Sequence, residues 1–163
     1  MNVVDITYPD ITNGNGVRAT IWFAGCIHNC PGCHNPQTHD FNNGHSFNDK
    51  VINDIYEIAA LDYIDGITLS GGDPLCLSNE DLYKLSDFID EFKQKTGKNV
   101  WLYTGYYLDD LINTDTARAQ LQYDVASKCD VVVDGPFEID KRSWTTPFRG
   151  STNQNLIYIE HDK

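Results

Sequence analysis

From Val17 to Phe23 apolar residues fall on every second position, at Val17, Ala19, Ile21 and Phe23, the period of a strand with one buried face. This strand runs straight into Gly25-Cys26. Between 48 and 60 the spacing changes to three and four, at Val51, Ile52, Ile55, Tyr56 and Ala59. That predicts a helix, with Ser46 or Asn48 as its cap. Gly66 to Ser70 reads as a short strand ending in Gly71-Gly72-Asp73-Pro74, where paired glycines permit a tight turn or a close approach. A second helix is predicted over 79–96, with Leu82, Leu85, Ile89 and Phe92 on one face and Gly97 as the stop. A strand at 99–103 and less regular helical stretches at 107–112 and 117–127 follow. The chain closes with an apolar strand at 130–133, a polar loop over 135–152 and a last strand at 156–160.

Strands separated by helices argue for β-α-β units with right-handed crossovers. A closed eight-fold barrel takes about 250 residues, and this chain has 163. The expected fold is therefore α/β, an open, partial (β/α) barrel with a mostly parallel sheet, in one domain over 1–163. Ligands collect at the C-terminal ends of strands in such sheets, where Cys26, Gly71, Thr104 and Asp134 all fall. Hydrophobic residues are 40% and charged residues 22%, a composition that buries a core. The net charge of −12 argues against nucleic acid or an anionic membrane as partner, since both require a basic surface. No run approaches the roughly 20 apolar residues of a membrane span, and Met1 to Asp5 lacks a basic, apolar leader. A cytoplasmic protein is expected.

Three of the five cysteines lie within eight residues, Cys26-Ile27-His28-Asn29-Cys30-Pro31-Gly32-Cys33. In a reducing compartment such a C-x3-C-x2-C loop reads as a metal site or reactive thiols, not as a disulfide framework. Two readings of the residues stay open. A structural zinc requires four ligands, with His28, His34 or His39 as the fourth. A 4Fe-4S cluster on three cysteines keeps one iron free for a substrate or cofactor. Cys76 and Cys129 form no second pair and are expected as small buried hydrophobes.

The C-x3-C-x2-C loop after one strand and Gly-Gly-Asp after the next resemble the radical S-adenosylmethionine (SAM) superfamily. The resemblance implies that Cys26, Cys30 and Cys33 hold a 4Fe-4S cluster whose fourth iron binds SAM. It also implies that Gly71, Gly72 and Asp73 meet the SAM amino group, with Asp73 where glutamate is commoner. His34, Thr104 and Asp134 are further candidates around SAM. Asn13-Gly14-Asn15-Gly16-Val17-Arg18 and Cys33-His34-Asn35-Pro36 are similar to the opening of glycyl radical enzyme activases. Trp101 to Tyr106, Val133 to Phe137 and Phe148 to Gln154 narrow the likeness to activases serving the anaerobic ribonucleoside-triphosphate reductase. The resemblance then implies reductive cleavage of SAM, an external low-potential donor such as a flavodoxin-type protein, and a glycyl radical placed on the reductase. Arg149 is a candidate contact for that partner. Two positions depart from the pattern: Gly32 precedes the third cysteine where an aromatic residue is common, and Asn155 replaces a basic residue. The alternatives are a compact radical SAM enzyme for a small molecule and a non-enzymatic zinc scaffold.

Overall fold

Alternation along the central strands divides the molecule into an apolar face and a polar one. In the computed structural model, which describes residues 1–161, strand β2 (Arg18–Phe23) buries Ala19, Ile21 and Phe23 in the main core. Strands β4 (Gly66–Gly71), β5 (Asn99–Tyr103) and β6 (Val131–Asp134) add Ile67, Leu69, Val100, Leu102 and Val132. The helices α1 (Asp49–Ala59), α2 (Asn79–Thr96), α3 (Leu108–Asn113) and α4 (Ala117–Ser127) contribute the other half of this core. From α2 alone, Leu82, Leu85, Ile89 and Phe92 are fully buried, each worth about 1.5–3 kcal/mol of apolar burial. The intervening strand residues, Arg18, Thr20, Thr68 and Ser70, are buried on the opposite face with Trp101, Val131 and Val133. That face carries the polar groups, and loops rather than helices cover it.

The helix ends follow local chemistry. Asn48 caps α1, its side chain accepting from Val51 N at 3.1 Å, while Ser46 belongs to the two-residue strand β3 (His45–Ser46). Ser78 caps α2, and Gly97 ends it in the left-handed region at φ 66°. Element limits expected from the sequence agree within one or two residues.

Seven strands form one sheet in the order β3-β1-β2-β4-β5-β6-β7, with β1 at Asn2–Asp10 and β7 at Asn155–Tyr158. The expected mostly parallel sheet is corrected to a mixed one. Pairs β2–β4, β4–β5 and β5–β6 are parallel, whereas β3–β1, β1–β2 and β6–β7 are antiparallel. The central pairs are joined through helices, while β1 and β7 return beside their neighbours through loops, which needs no crossover. β1 carries no clean alternation because its pairing with β2 shifts register between Val3 and Asp5 and again between Thr7 and Asp10. The sheet does not close on itself. The last two residues of the expected 1–163 domain lie outside the described residues. Among the described residues no helix is long and apolar enough to cross a membrane.

Candidate metal and cofactor site

The loop after β2 is pinned at its base by backbone. Gly25 N donates to Thr38 O at 2.7 Å and Cys26 N to His39 O at 3.2 Å. On the other side Gly72 N reaches Phe23 O at 2.9 Å, and Asp73 N reaches Gly25 O at 2.8 Å. This junction explains the double glycine. A Cβ on Gly72 would collide with the Gly25 carbonyl and stand 2.7 Å from Thr38 O, and Gly71 has φ 106°. Within the loop, Asn29 adopts φ 48° and Gly32 φ 74°, conformations that asparagine and glycine tolerate best. A side chain on Gly32 would also meet Ile139 Cδ1 at 2.7 Å, which accounts for the missing aromatic residue there.

Cys26, Cys30 and Cys33 face a cavity of about 130 Å³ with Gly71, Gly72, Asp73, Tyr103 and Thr104 on its walls. Cys33 Sγ accepts from Asn35 N at 3.5 Å and lies 3.3 Å from His39 Nε2. A hydrogen bond from Cys76 holds the Cys26 thiol below its ordinary range, against the opposing effect of burial. Loss of contact with water pushes Cys30 up. Cys76 is pushed far up, first because it gives its hydrogen bond to Cys26 and then by burial.

Asp73 is only 2% exposed and serves as a junction between strand ends. Its Oδ2 accepts from Thr104 Oγ1 at 2.9 Å and Gly105 N at 2.8 Å, and stands 2.6 Å from His28 Nε2. Its Oδ1 accepts from Leu75 N at 2.9 Å. The bond to Asp73 raises the His28 pKa, and the Tyr106 ring packs on the imidazole edge-to-face at 4.7 Å.

The other expected site residues divide. His34 is exposed, packs against Phe137 at 5.0 Å between ring centroids, and lines an adjoining cavity of about 570 Å³ together with Cys33, Ser70, Tyr103 and Arg149. Asp134 lines neither cavity. Its two oxygens accept from Leu108 N at 2.8 Å and Asn155 Nδ2 at 2.9 Å, so it ties α3 and β7 to the end of β6. This also gives Asn155 a structural partner. The polar loop is ordered by its own amides: Gln154 Nε2 donates to Gly135 O at 2.9 Å and Asn153 Nδ2 to Pro136 O at 2.7 Å. Arg149 Nε donates to Pro147 O at 3.1 Å. Cys129 is fully buried in the core, as expected. Cys76 is buried too, yet its sulfur faces the site, 3.8 Å from His28 Nε2. The sequence offered His28 as a possible zinc ligand within the loop, but spacing along the chain carries no signal for Cys76 or for the His28–Asp73 contact, because these neighbours come from other strand ends.

The donor set fits a polynuclear group better than one zinc ion. Sulfurs on a single tetrahedral zinc stand about 3.8 Å apart, given Zn–S bonds of about 2.3 Å. Among the described residues, the group of such ligand atoms lying within 4.8 Å of one another is Cys26, His28 and Cys76, which leaves out Cys30 and Cys33. The three loop thiols are spread around a shared cavity instead, as three-cysteine ligation of a cluster requires. The adjoining cavity has the 300–1,000 Å³ or so typical of small-ligand sites.

Comparison with known proteins agrees with the donor set. The 4Fe-4S single cluster domain family matches residues 12–157. The chain is 41% identical over 158 residues to the anaerobic ribonucleoside-triphosphate reductase-activating protein of Escherichia coli, covering 93% of this chain and 96% of that one. The protein of the same name from Pasteurella multocida is 38% identical over 97% of each chain. That of Enterobacteria phage T4 is 34% identical, over 93% of this chain and 91% of its own.

Proposed function

The chain belongs to the anaerobic ribonucleoside-triphosphate reductase-activating proteins and to the 4Fe-4S single cluster domain family, and on that premise we propose that it is a radical SAM activase that places a glycyl radical on the reductase. The observation that carries this reading is the set of three thiols from one loop facing a common cavity at the strand ends, beside a second cavity large enough for a nucleoside. In this reading Cys26, Cys30 and Cys33 hold a 4Fe-4S cluster, and the open sheet is the partial barrel of the radical SAM superfamily, one domain over 1–163. Held by these cysteines and reduced, the cluster would supply the one electron that splits the C5′–S bond of SAM into methionine and a 5′-deoxyadenosyl radical, which would take a hydrogen atom from a glycine Cα of the reductase.

The chain's own residues bind and orient. The Gly71-Gly72 backbone lines the wall where the SAM ammonium is received, and the buried Asp73 charge favours that cation while its oxygens keep His28, Thr104 and Gly105 in place. Thr104 fixes the end of β5 through the same carboxylate. The His34–Phe137 pair offers the aromatic surface for adenine that Gly32 does not. Asp134 has no part in SAM binding in this scheme, because it lines neither cavity. No general base is required. Arg149, on the rim of the larger cavity, contacts the reductase. The electron comes from a low-potential donor such as a flavodoxin-type protein, in the cytoplasm.

The test is electron paramagnetic resonance of the anaerobically reconstituted, reduced protein. A reduced 4Fe-4S signal that changes on adding SAM is expected, and Cys30→Ser should abolish it. A protein that takes up zinc but no iron or sulfide under these conditions would overturn the reading.

A further inference from the structure

Cys76 is used by neither the cluster loop nor the core, yet it completes a trio. The ligand atoms of Cys26, His28 and Cys76 all lie within 4.8 Å of one another. For zinc, with bonds of about 2.3 Å to sulfur and about 2.0–2.1 Å to nitrogen, tetrahedral geometry sets the S···N separation at about 3.6 Å. The Cys76 Sγ to His28 Nε2 distance is 3.8 Å. The trio is also held ready. Cys76 ends a turn at Pro74–Cys76 that is capped by Asp73 through Leu75 N. His28 is clamped by Asp73 and Tyr106. Cys76 is buried at 7% exposure, and Cys26 and His28 are half-buried.

We propose that Cys26, His28 and Cys76 form a single-ion site for a thiol-seeking divalent cation such as Zn²⁺, which shares Cys26 with the cluster loop so that ion and cluster exclude each other. On binding, both thiols release their protons to solvent, and the two thiolates neutralise the ion. His28 Nε2 gives up its proton to solvent as well and turns from Asp73 Oδ2 to the ion, leaving that carboxylate as the nearest further negative charge. The site gives the cluster-free protein a metal-loaded state in which Cys26 is sequestered. Mutual exclusion rests on the cluster reading of Cys26, whereas ion binding stands without it.

The experiment is anaerobic titration of the full, cluster-free chain with Co²⁺ under a non-thiol reductant, followed by displacement with Zn²⁺. One equivalent of Co²⁺ with thiolate-to-metal charge-transfer absorption is expected. Cys76→Ser should weaken binding by more than about 100-fold, beyond the 10–100-fold effect of losing an outer partner. Cys30→Ser and Cys33→Ser should leave it unchanged. Cys76→Ala, with circular dichroism as a folding control, separates ligand loss from misfolding. Binding that survives Cys76→Ser but is lost in Cys30→Ser or Cys33→Ser would overturn the proposal, as would no tight binding by the native chain. Mutual exclusion is read separately: zinc-loaded native protein should resist iron and sulfide reconstitution, and zinc-treated Cys76→Ser should not. A native chain that binds Co²⁺ as predicted but never assembles a cluster would count against the cluster reading alone.

Discussion

Arg18 shows how one residue organises the polar face of the sheet. It is fully buried, and its guanidinium donates from Nε to Thr68 Oγ1 at 2.7 Å, from Nη1 to Asn15 O at 3.0 Å and from Nη2 to Ile67 O at 2.6 Å. It lies over the Trp101 ring at 5.4 Å. Burial pulls its pKa down to about 10, with Asp65 opposing, which leaves it charged at neutral pH. Arg18→Met keeps the stem but orphans several buried acceptors, so a loss of about 3 kcal/mol or more is expected in denaturant unfolding. Asp10 provides the pH-dependent case. Burial alone would raise its pKa, but hydrogen bonds from Asn13, Thr20 and Thr12 hold it below the ordinary 3.8. A carboxylate with a lowered native pKa stabilises the fold above its unfolded value and loses that contribution as pH falls through the native one. Asp10→Asn should therefore be less stable than the native chain at pH 7, with the difference shrinking in thermal melts as the pH falls below 3.8.

Among the elements, the junction between the β2 and β4 ends matters most. Gly72→Ala would drive a methyl group into the Gly25 carbonyl and part the two loops that frame the cavity. Iron content after reconstitution should drop severalfold while far-UV circular dichroism changes little; unaltered cluster uptake would show that the junction is not needed. Helices α1 and α2 were legible because an apolar stripe at helical spacing agrees with a cap at Asn48 in the first and with a stop at Gly97 in the second. β1 was not, because register shifts break its alternation. The glycine pair was legible as a point of close approach, although its neighbour is the protein's own backbone.

For the whole molecule, helices on one face of an unclosed sheet leave the other to the polar loop, which carries Arg142 between the Phe137 and Trp144 rings at 5.7 and 5.4 Å. Trp144 is 83% exposed. Arg149→Ala should leave SAM cleavage by the isolated protein within about twofold of native, yet lower the rate of radical installation on the reductase. Equal losses in both assays would move Arg149 from the partner surface into the SAM site.

The sequence by itself determined the α/β alternation and the three thiols on one loop, because short-range spacing and turn residues encode both, and its separated motifs carried the resemblance to the cluster-binding family. Only the tertiary structure decided that the sheet is mixed, that Asp134 serves β7 and α3, and that His28, Asp73 and Cys76 meet beside Cys26. Those contacts join residues as far as 50 positions apart, Cys26 and Cys76, and side chains from separate strand ends become neighbours only once the parallel register sets the ends side by side.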